Sequence, residues 1–240
     1  MWHYPPERIG AFGRARLVSP RATRSPRIIR AFLFDLDGTL VDTERLWVAA
    51  AEAVLRDAGH PITHEQALAL IYGRAWGDIR PELLRDYPDA FPDAATLERL
   101  LGAAFDRLKG STDIRIPSSI ALLKRLAATH PVAVVSGSSR RTVEETLRLV
   151  GLDGDVSVIV ATEDTSRGKP DPAPYLLAAE RLGVPPEECL AFEDSAAGVR
   201  AARDAGMRVV ALQRPGAPPQ DLSQADLVLA DLGEFHCETP

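Results

Sequence analysis

The stretch AFLFDLDGTLVDTE, residues 31–44, ends a four-residue apolar run in two aspartates, Asp35 and Asp37, followed by Gly38 and Thr39. A short, wholly apolar run bounded by polar residues suits a strand buried on both faces of a parallel sheet. In an open sheet of that kind ligands sit beyond the carboxyl ends of the strands, which is where Asp35 emerges. Two carboxylates at i and i+2 lean to the same side of the strand end, and they repel unless a cation or a shared proton offsets the charge. A metal is the simplest offset. The calcium-loop pattern does not fit, because its glycine belongs at the sixth position, whereas Gly38 is fourth and a strand precedes it.

Working outward, five further runs resemble the first: VAVV (132–135), VSVIV (156–160), CLAF (189–192), RVVAL (208–212) and DLVL (226–229). Helical spacing lies between them, as in Ile120, Leu123 and Leu126, or Val143, Leu147 and Val150. Strand runs alternating with amphipathic helices predict an α/β fold, a Rossmann-like doubly wound parallel sheet. Residues 46–116 interrupt the alternation with no strand run. Segments 46–58, 63–71, 78–86 and 94–109 read as amphipathic helices, so this stretch is expected to be an inserted helical cap domain. The catalytic core then comprises 31–45 and 117–240.

Composition narrows the functional classes. The chain has 240 residues and 45% hydrophobic content, enough for a sizeable core. No apolar run approaches the roughly 18 residues needed to cross a bilayer, and the start lacks the basic-then-apolar order of a secretory signal. The chain reads as cytoplasmic, with no membrane partner. Two cysteines, Cys189 and Cys237, are too few for a disulfide framework or a zinc site. Residues 1–30 hold seven arginines against one glutamate while the whole chain is at −6, so the main body is acidic and would repel nucleic acid. The basic start reads as a disordered leader outside the fold; a nucleic-acid arm or an organelle transit peptide ranks below that. No large apolar repeat stands out for an obligate protein partner.

Three other strand ends carry groups suited to phosphate. After VAVV comes Ser136-Gly137-Ser138-Ser139, a turn whose hydroxyls and N–H groups can cradle phosphate oxygens, although alone it is equally a helix cap. After VSVIV comes GKPDP (168–172), where Lys169 is one of three lysines in a chain with 25 arginines. A compact ammonium there neutralises a phosphoryl oxygen and a carboxylate together; a surface turn lysine is the bland alternative. After CLAF come Glu193 and Asp194, a second acidic pair, which alone would read as the start of a helix. Together these ends supply hard oxygen ligands, phosphate donors and a cation, the requirements of phosphoryl transfer through magnesium.

DLDGTLVDTE, VVSGSS, GKPDP and FEDSAAGVRAARDAGM, in this order, resemble the four motifs of the haloacid dehalogenase superfamily, in its phosphatase and β-phosphoglucomutase-like branch with a helical cap. The resemblance spans residues 31 to about 230. It implies that Asp35 is the nucleophile, already ionised, that becomes an aspartyl phosphate, and that Asp37 is the general acid and base. It implies Mg²⁺ held by Asp35, the Asp37 carbonyl and Asp194 with support from Glu193, and a phosphoryl group held by Ser136, Gly137, Lys169 and Ser138. Asp37 favours phosphate esters over haloacids, and Lys109 near the far end of the cap is poorly placed for a phosphonatase Schiff base. Where mutase members carry a histidine and an arginine, this chain has Trp47 and Trp76, which leaves hydrolysis as the default.

The cap is expected to choose the substrate. Arg74, in YGRAWGD, is a candidate contact to the substrate, with a solvated helix-start arginine as the equal alternative; the tryptophans pack either on a sugar ring or in the cap. The expected function is a magnesium-dependent phosphatase for a small phosphate ester, a sugar or polyol monophosphate first. A phosphosugar mutase and a catalytically silent binding module are the alternatives.

Overall fold

The first strand, β1 (Ala31–Phe34), pairs in parallel with β2 (Val132–Val135) on one side and with β4 (Cys189–Glu193) on the other. In the computed structural model, which describes residues 28–72, 76–110, 112–217 and 219–236, β3 (Val158–Val160), β5 (Arg208–Leu212) and β6 (Leu227–Leu229) complete one parallel sheet of order β3-β2-β1-β4-β5-β6. Successive strands step away from β1 in one direction as far as β3 and then restart beside β1 with β4. The chain therefore reverses beside β1, the arrangement that opens a crevice at the carboxyl edge of a doubly wound sheet.

Side-chain alternation divides the sheet into two unlike faces. Ala31, Leu33, Ala133, Val135, Cys189 and Ala191 share a buried cluster with Tyr175 and Ala178 of α7 (Ala173–Leu182) and with Val199 and Ala202 of α8 (Ala196–Asp204). Small residues on this face let the helices approach closely. Phe32, Phe34 and Phe192 alternate to the other face, where the Phe34 and Phe192 rings stack 4.5 Å apart and Phe235 meets Phe192 edge-on at 5.0 Å. Aromatic pairs of this kind contribute about 0.5–1.5 kcal/mol beyond their area burial. Helices α5 (Pro117–Ala127) and α6 (Arg140–Val150) also pack on the sheet, against β2 and β3.

The described chain divides into two compact units, Val41–Arg115 and the rest. The first has no strand among its described residues and consists of α1 (Glu44–Asp57), α2 (His64–Ile71), α3 (Trp76–Asp86) and α4 (Ala94–Lys109). Val48, Ala51, Leu55, Leu83, Leu97 and Leu101 are among its buried core. Local chemistry fixes the helix starts: Thr63 and Gln66 form a reciprocal capping box at α2, and Asp93 accepts the Thr96 N–H at 2.7 Å to cap α4.

The unit begins at Val41, before residue 46. Val41 bridges Arg115, and the Asp42 N–H donates to the Ile114 carbonyl at 2.8 Å, so both connecting segments belong to it. Ile29 is likewise buried, and the Arg30 N–H donates to the Glu188 carbonyl at 2.8 Å, so ordered packing starts ahead of residue 31. Residues 1–27 of the expected leader, and Arg74, lie outside the described residues. No described helix is long and apolar enough to cross a membrane.

Candidate active site

The sheet brings four of its carboxyl ends, those of β3, β2, β1 and β4, side by side. Asp35 continues β1, its N–H still donating to the Phe192 carbonyl at 2.9 Å, and shares the alternation of Ala31 and Leu33. Glu193 ends β4 in register with Cys189 and Ala191. Both acids therefore point to the α7 face. Lys169 reaches between them from the loop after β3, with Nζ 2.6 Å from Asp35 Oδ1, 2.6 Å from Glu193 Oε1 and 2.9 Å from the Val135 carbonyl. An ammonium has three N–H donors, and all three are used.

Burial dominates the electrostatics. It pushes the Asp35 carboxyl up to about 7; Lys169 opposes the shift, while Glu193 and Asp37 add to it. Removal from water thus works against the ionised form that the resemblance implies for Asp35, while the Lys169 ammonium favours it. For Lys169 burial favours the neutral amine, but the Asp35 and Glu193 carboxylates outweigh it and hold the ammonium well above the usual lysine range. Burial, with Glu193 next, keeps the Tyr175 phenol protonated far above its ordinary value.

Glu193 is fully buried and saturated. Its Oε1 accepts from Lys169 and from the Tyr175 hydroxyl at 2.8 Å; its Oε2 accepts from the Asp194 N–H, the Ser195 N–H and the Ser195 hydroxyl at 3.1–3.3 Å. Gly198, in the first turn of α8, makes room for it: a Cβ there would lie 1.8 Å from Glu193 Oε1. Gly38 is a second close approach, with φ +92° and a would-be Cβ 1.9 Å from Asp194 Oδ2. Neither Tyr175 nor the need for Gly198 was evident in the sequence. The one available signal for Tyr175 was a hydroxyl six residues beyond Lys169 on an otherwise apolar helix face.

Asp37 lies across the site from this network and accepts from Ser138 Oγ at 3.1 Å and Ser136 Oγ at 3.4 Å. Ser136 in turn accepts the Ser138 N–H at 3.0 Å, and exposed Gly137 has open space around its Cα. The turn after β2 thus meets the loop after β1. Asp35, Glu193 and Asp194 bring one carboxylate oxygen each within 4.8 Å of one another. Asp35 Oδ2 is buried without a hydrogen-bond partner among the described residues. A buried, unpartnered carboxylate oxygen amid converging acids is the donor set of a hard divalent cation, and these residues fit one. Both Glu193 oxygens are engaged by protein donors, whereas Asp35 Oδ2 has none among the described residues.

Residues 29–206 match the profile of the haloacid dehalogenase-like hydrolases. The chain is 36% identical over 211 residues to hexitol phosphatase A of Escherichia coli, covering 86% of this chain and 93% of that protein. It is 30% identical over 178 residues to fructose-1-phosphate phosphatase YqaB of E. coli, covering 74% and 93%. The crystal structure of CbbY from Rhodobacter sphaeroides in complex with phosphate superposes with a TM-score of 0.67 at 30% identity, covering 86% of this chain and 96% of that one. A doubly wound sheet, four motifs gathered at its carboxyl edge and a helical insertion after β1 accompany that similarity over most of the chain, and the protein belongs to the haloacid dehalogenase-like hydrolase family.

Proposed function

We propose that this protein is a magnesium-dependent phosphatase of a small phosphorylated metabolite, a sugar or polyol monophosphate, working through an aspartyl phosphate on Asp35. The observation that carries the reading is the Asp35 carboxylate itself. One oxygen is held by Lys169 at 2.6 Å, the other is buried without a partner among the described residues, and the carboxylate converges with those of Glu193 and Asp194. A nucleophile that is oriented, desolvated and short of one cation suits in-line attack at phosphorus.

In this scheme an Asp35 oxygen bonds to phosphorus and the bond to the leaving alcohol breaks. Asp37, steadied by the Ser136 and Ser138 hydroxyls, gives its proton to the departing oxygen. Asp37 then takes a proton from water as that water attacks the same phosphorus, which frees Asp35 and releases inorganic phosphate. Gly137 and Lys169 hold the phosphoryl oxygens, joined by Ser136 and Ser138 when their hydroxyls turn from Asp37 to the bound group. Asp35, Asp194 and the Asp37 carbonyl would hold Mg²⁺, which supplies positive charge to the phosphoryl group and to Asp35 when bound. Glu193 supports that set by holding Lys169.

The polyol or sugar preference draws on the cap unit and on the relatives. Within the cap, a cavity of about 350 Å³ is lined by Glu44, Trp47, Ile71, Trp76, Ile79, Glu98 and Leu101. The Trp47 ring lies 4.3 Å from Phe105 and 6.4 Å from Trp76. Indole faces suit the C–H side of a sugar or polyol and carboxylates accept its hydroxyls. Hexitol and fructose 1-phosphate phosphatases among the relatives point to the same class. A silent binding module has no use for Asp35, Asp37, Lys169 and Asp194 together.

The test is phosphate release from hexitol, ketose, aldose, glycolate and nucleoside monophosphates, with Mg²⁺ and then with chelator, and product analysis for glucose 1-phosphate. We expect metal-dependent hydrolysis of sugar or polyol phosphates without isomerised product. Chelator-resistant turnover would defeat the mechanism, and glucose 6-phosphate as product would replace hydrolysis by mutase chemistry.

A further inference from the structure

We infer that Tyr175 is a positioning residue for this site, one that keeps Glu193 in place while Lys169 exchanges a protein partner for a phosphoryl oxygen. The inference rests on the phosphatase reading above. Tyr175 is the largest fully buried side chain of the described fold, and it touches both members of the ion pair. Its hydroxyl donates to Glu193 Oε1 at 2.8 Å, and its ring centroid lies 5.3 Å from Lys169 Nζ, within cation–π range.

Donor counting gives this contact a purpose. The three Lys169 N–H groups are committed to Asp35, Glu193 and Val135, so a phosphoryl oxygen can be gripped only if one bond is given up. A carboxylate oxygen buried with no donor is costly. Of the two carboxylates that Lys169 holds, Glu193 is the one whose bonded oxygen has a second donor in place, the Tyr175 hydroxyl. Its other oxygen is pinned at the start of α8 by Asp194 and Ser195. Glu193 can therefore release an N–H without being stripped or turning, and the aromatic face keeps the ammonium near its place during the exchange.

Tyr175→Phe tests the idea because it keeps the ring and its packing and removes only the hydroxyl. With the best substrate of the panel we expect kcat to fall at least tenfold with KM within threefold, since the missing bond matters when Lys169 changes partners. In a Glu193→Gln background the same substitution should cost less than threefold further. Urea unfolding of the four proteins in chelator supplies a readout that needs no turnover: we expect coupling between the two sites worth at least fivefold in the unfolding equilibrium constant. A wild type without phosphatase activity would overturn the proposed function while leaving that coupling measurable. Two results would overturn the inference itself: a lower unfolding midpoint with unchanged kcat, or fully multiplicative effects in the double variant.

Discussion

The two units of this chain treat their functional groups in opposite ways. The sheet unit buries charge: the side chains of Lys169 and Asp35 are 13% and 11% exposed, and that of Glu193 is at 0%. The cap unit leaves large apolar surface open, with Trp47 and Trp76 at 37% and 38% exposure around their cavity. A buried charge that loses its partner is costly, so substitutions in the sheet site are poorly tolerated. Open aromatic surface is adaptable, and substitutions there alter recognition before they alter chemistry. The contrast sets the order of the expected effects.

The largest belongs to Asp35. Asp35→Asn preserves shape but removes the nucleophile, and kcat should fall by at least roughly 10⁴-fold with the far-ultraviolet circular dichroism unchanged. Residual turnover within tenfold of wild type would place the chemistry elsewhere.

A pair of glycines opposes the two units directly. Gly198→Ala in the sheet unit puts a Cβ 1.8 Å from a carboxylate that cannot yield, because five donors hold it. We expect about a 100-fold loss of kcat/KM, the scale of a misplaced catalytic group, together with a lower melting temperature. Gly102→Ala on α4 of the cap meets nothing within 4 Å and should stabilise by about 0.5–1 kcal/mol with turnover intact. Calorimetry and steady-state kinetics on both variants check the pair; equal outcomes would erase the distinction between the units.

How much of this could be read from the chain follows from the same physics. The strands were legible because three or four apolar residues bounded by turns suit a buried strand better than a helix, and the cap helices because their apolar residues recur at helical spacing. The residues at the ends of β1, β2 and β4, with Lys169 just beyond β3, stand in the sequence where the parallel sheet brings them together. What stayed hidden depends on side chains meeting across the fold. Tyr175 reads as one apolar residue of α7 until the alternation of β4 turns Glu193 toward it. The raised Asp35 carboxyl was invisible because burial is a property of the fold, and strand residues give no sign of how completely a helix covers them. Helix starts shifted by two residues at α1 and α3, since the first turn of a helix carries no periodicity of its own.

The buried carboxyl also predicts how the metal binds. With Asp35 near 7 in the ion-free protein, the group is protonated below that pH and a cation must displace the proton. Mg²⁺ affinity measured by calorimetry should rise roughly tenfold per pH unit up to about 7 and level off above it. The sign follows for stability too. A carboxyl raised above its unfolded value favours folding below the unfolded pKa and loses that contribution as pH rises through the folded one. The melting temperature gained on adding Mg²⁺ should therefore be larger at pH 8 than at pH 5.5. Affinity independent of pH over that range would mean that metal binding displaces no proton from Asp35, and the raised carboxyl would be refuted.

The smallest expected effect on turnover among the substitutions that impair it, and the one that reads the cap, is Trp47→Ala. Its indole packs on Phe105 while keeping more than a third of its surface open, so truncation removes a recognition face and only part of a packing contact. If that face takes the carbon skeleton of the substrate, KM for a sugar or polyol phosphate should rise about tenfold, the equivalent of 1.4 kcal/mol, with kcat within threefold. A small aryl phosphate with no hydroxylated chain should show little change, because it has nothing to lose against an indole tuned to polyol C–H faces. A matching fall in kcat for both substrates would instead assign Trp47 to the cap's own packing, and selectivity would then have to be sought in the polar walls of the same cavity, at Glu44 and Glu98.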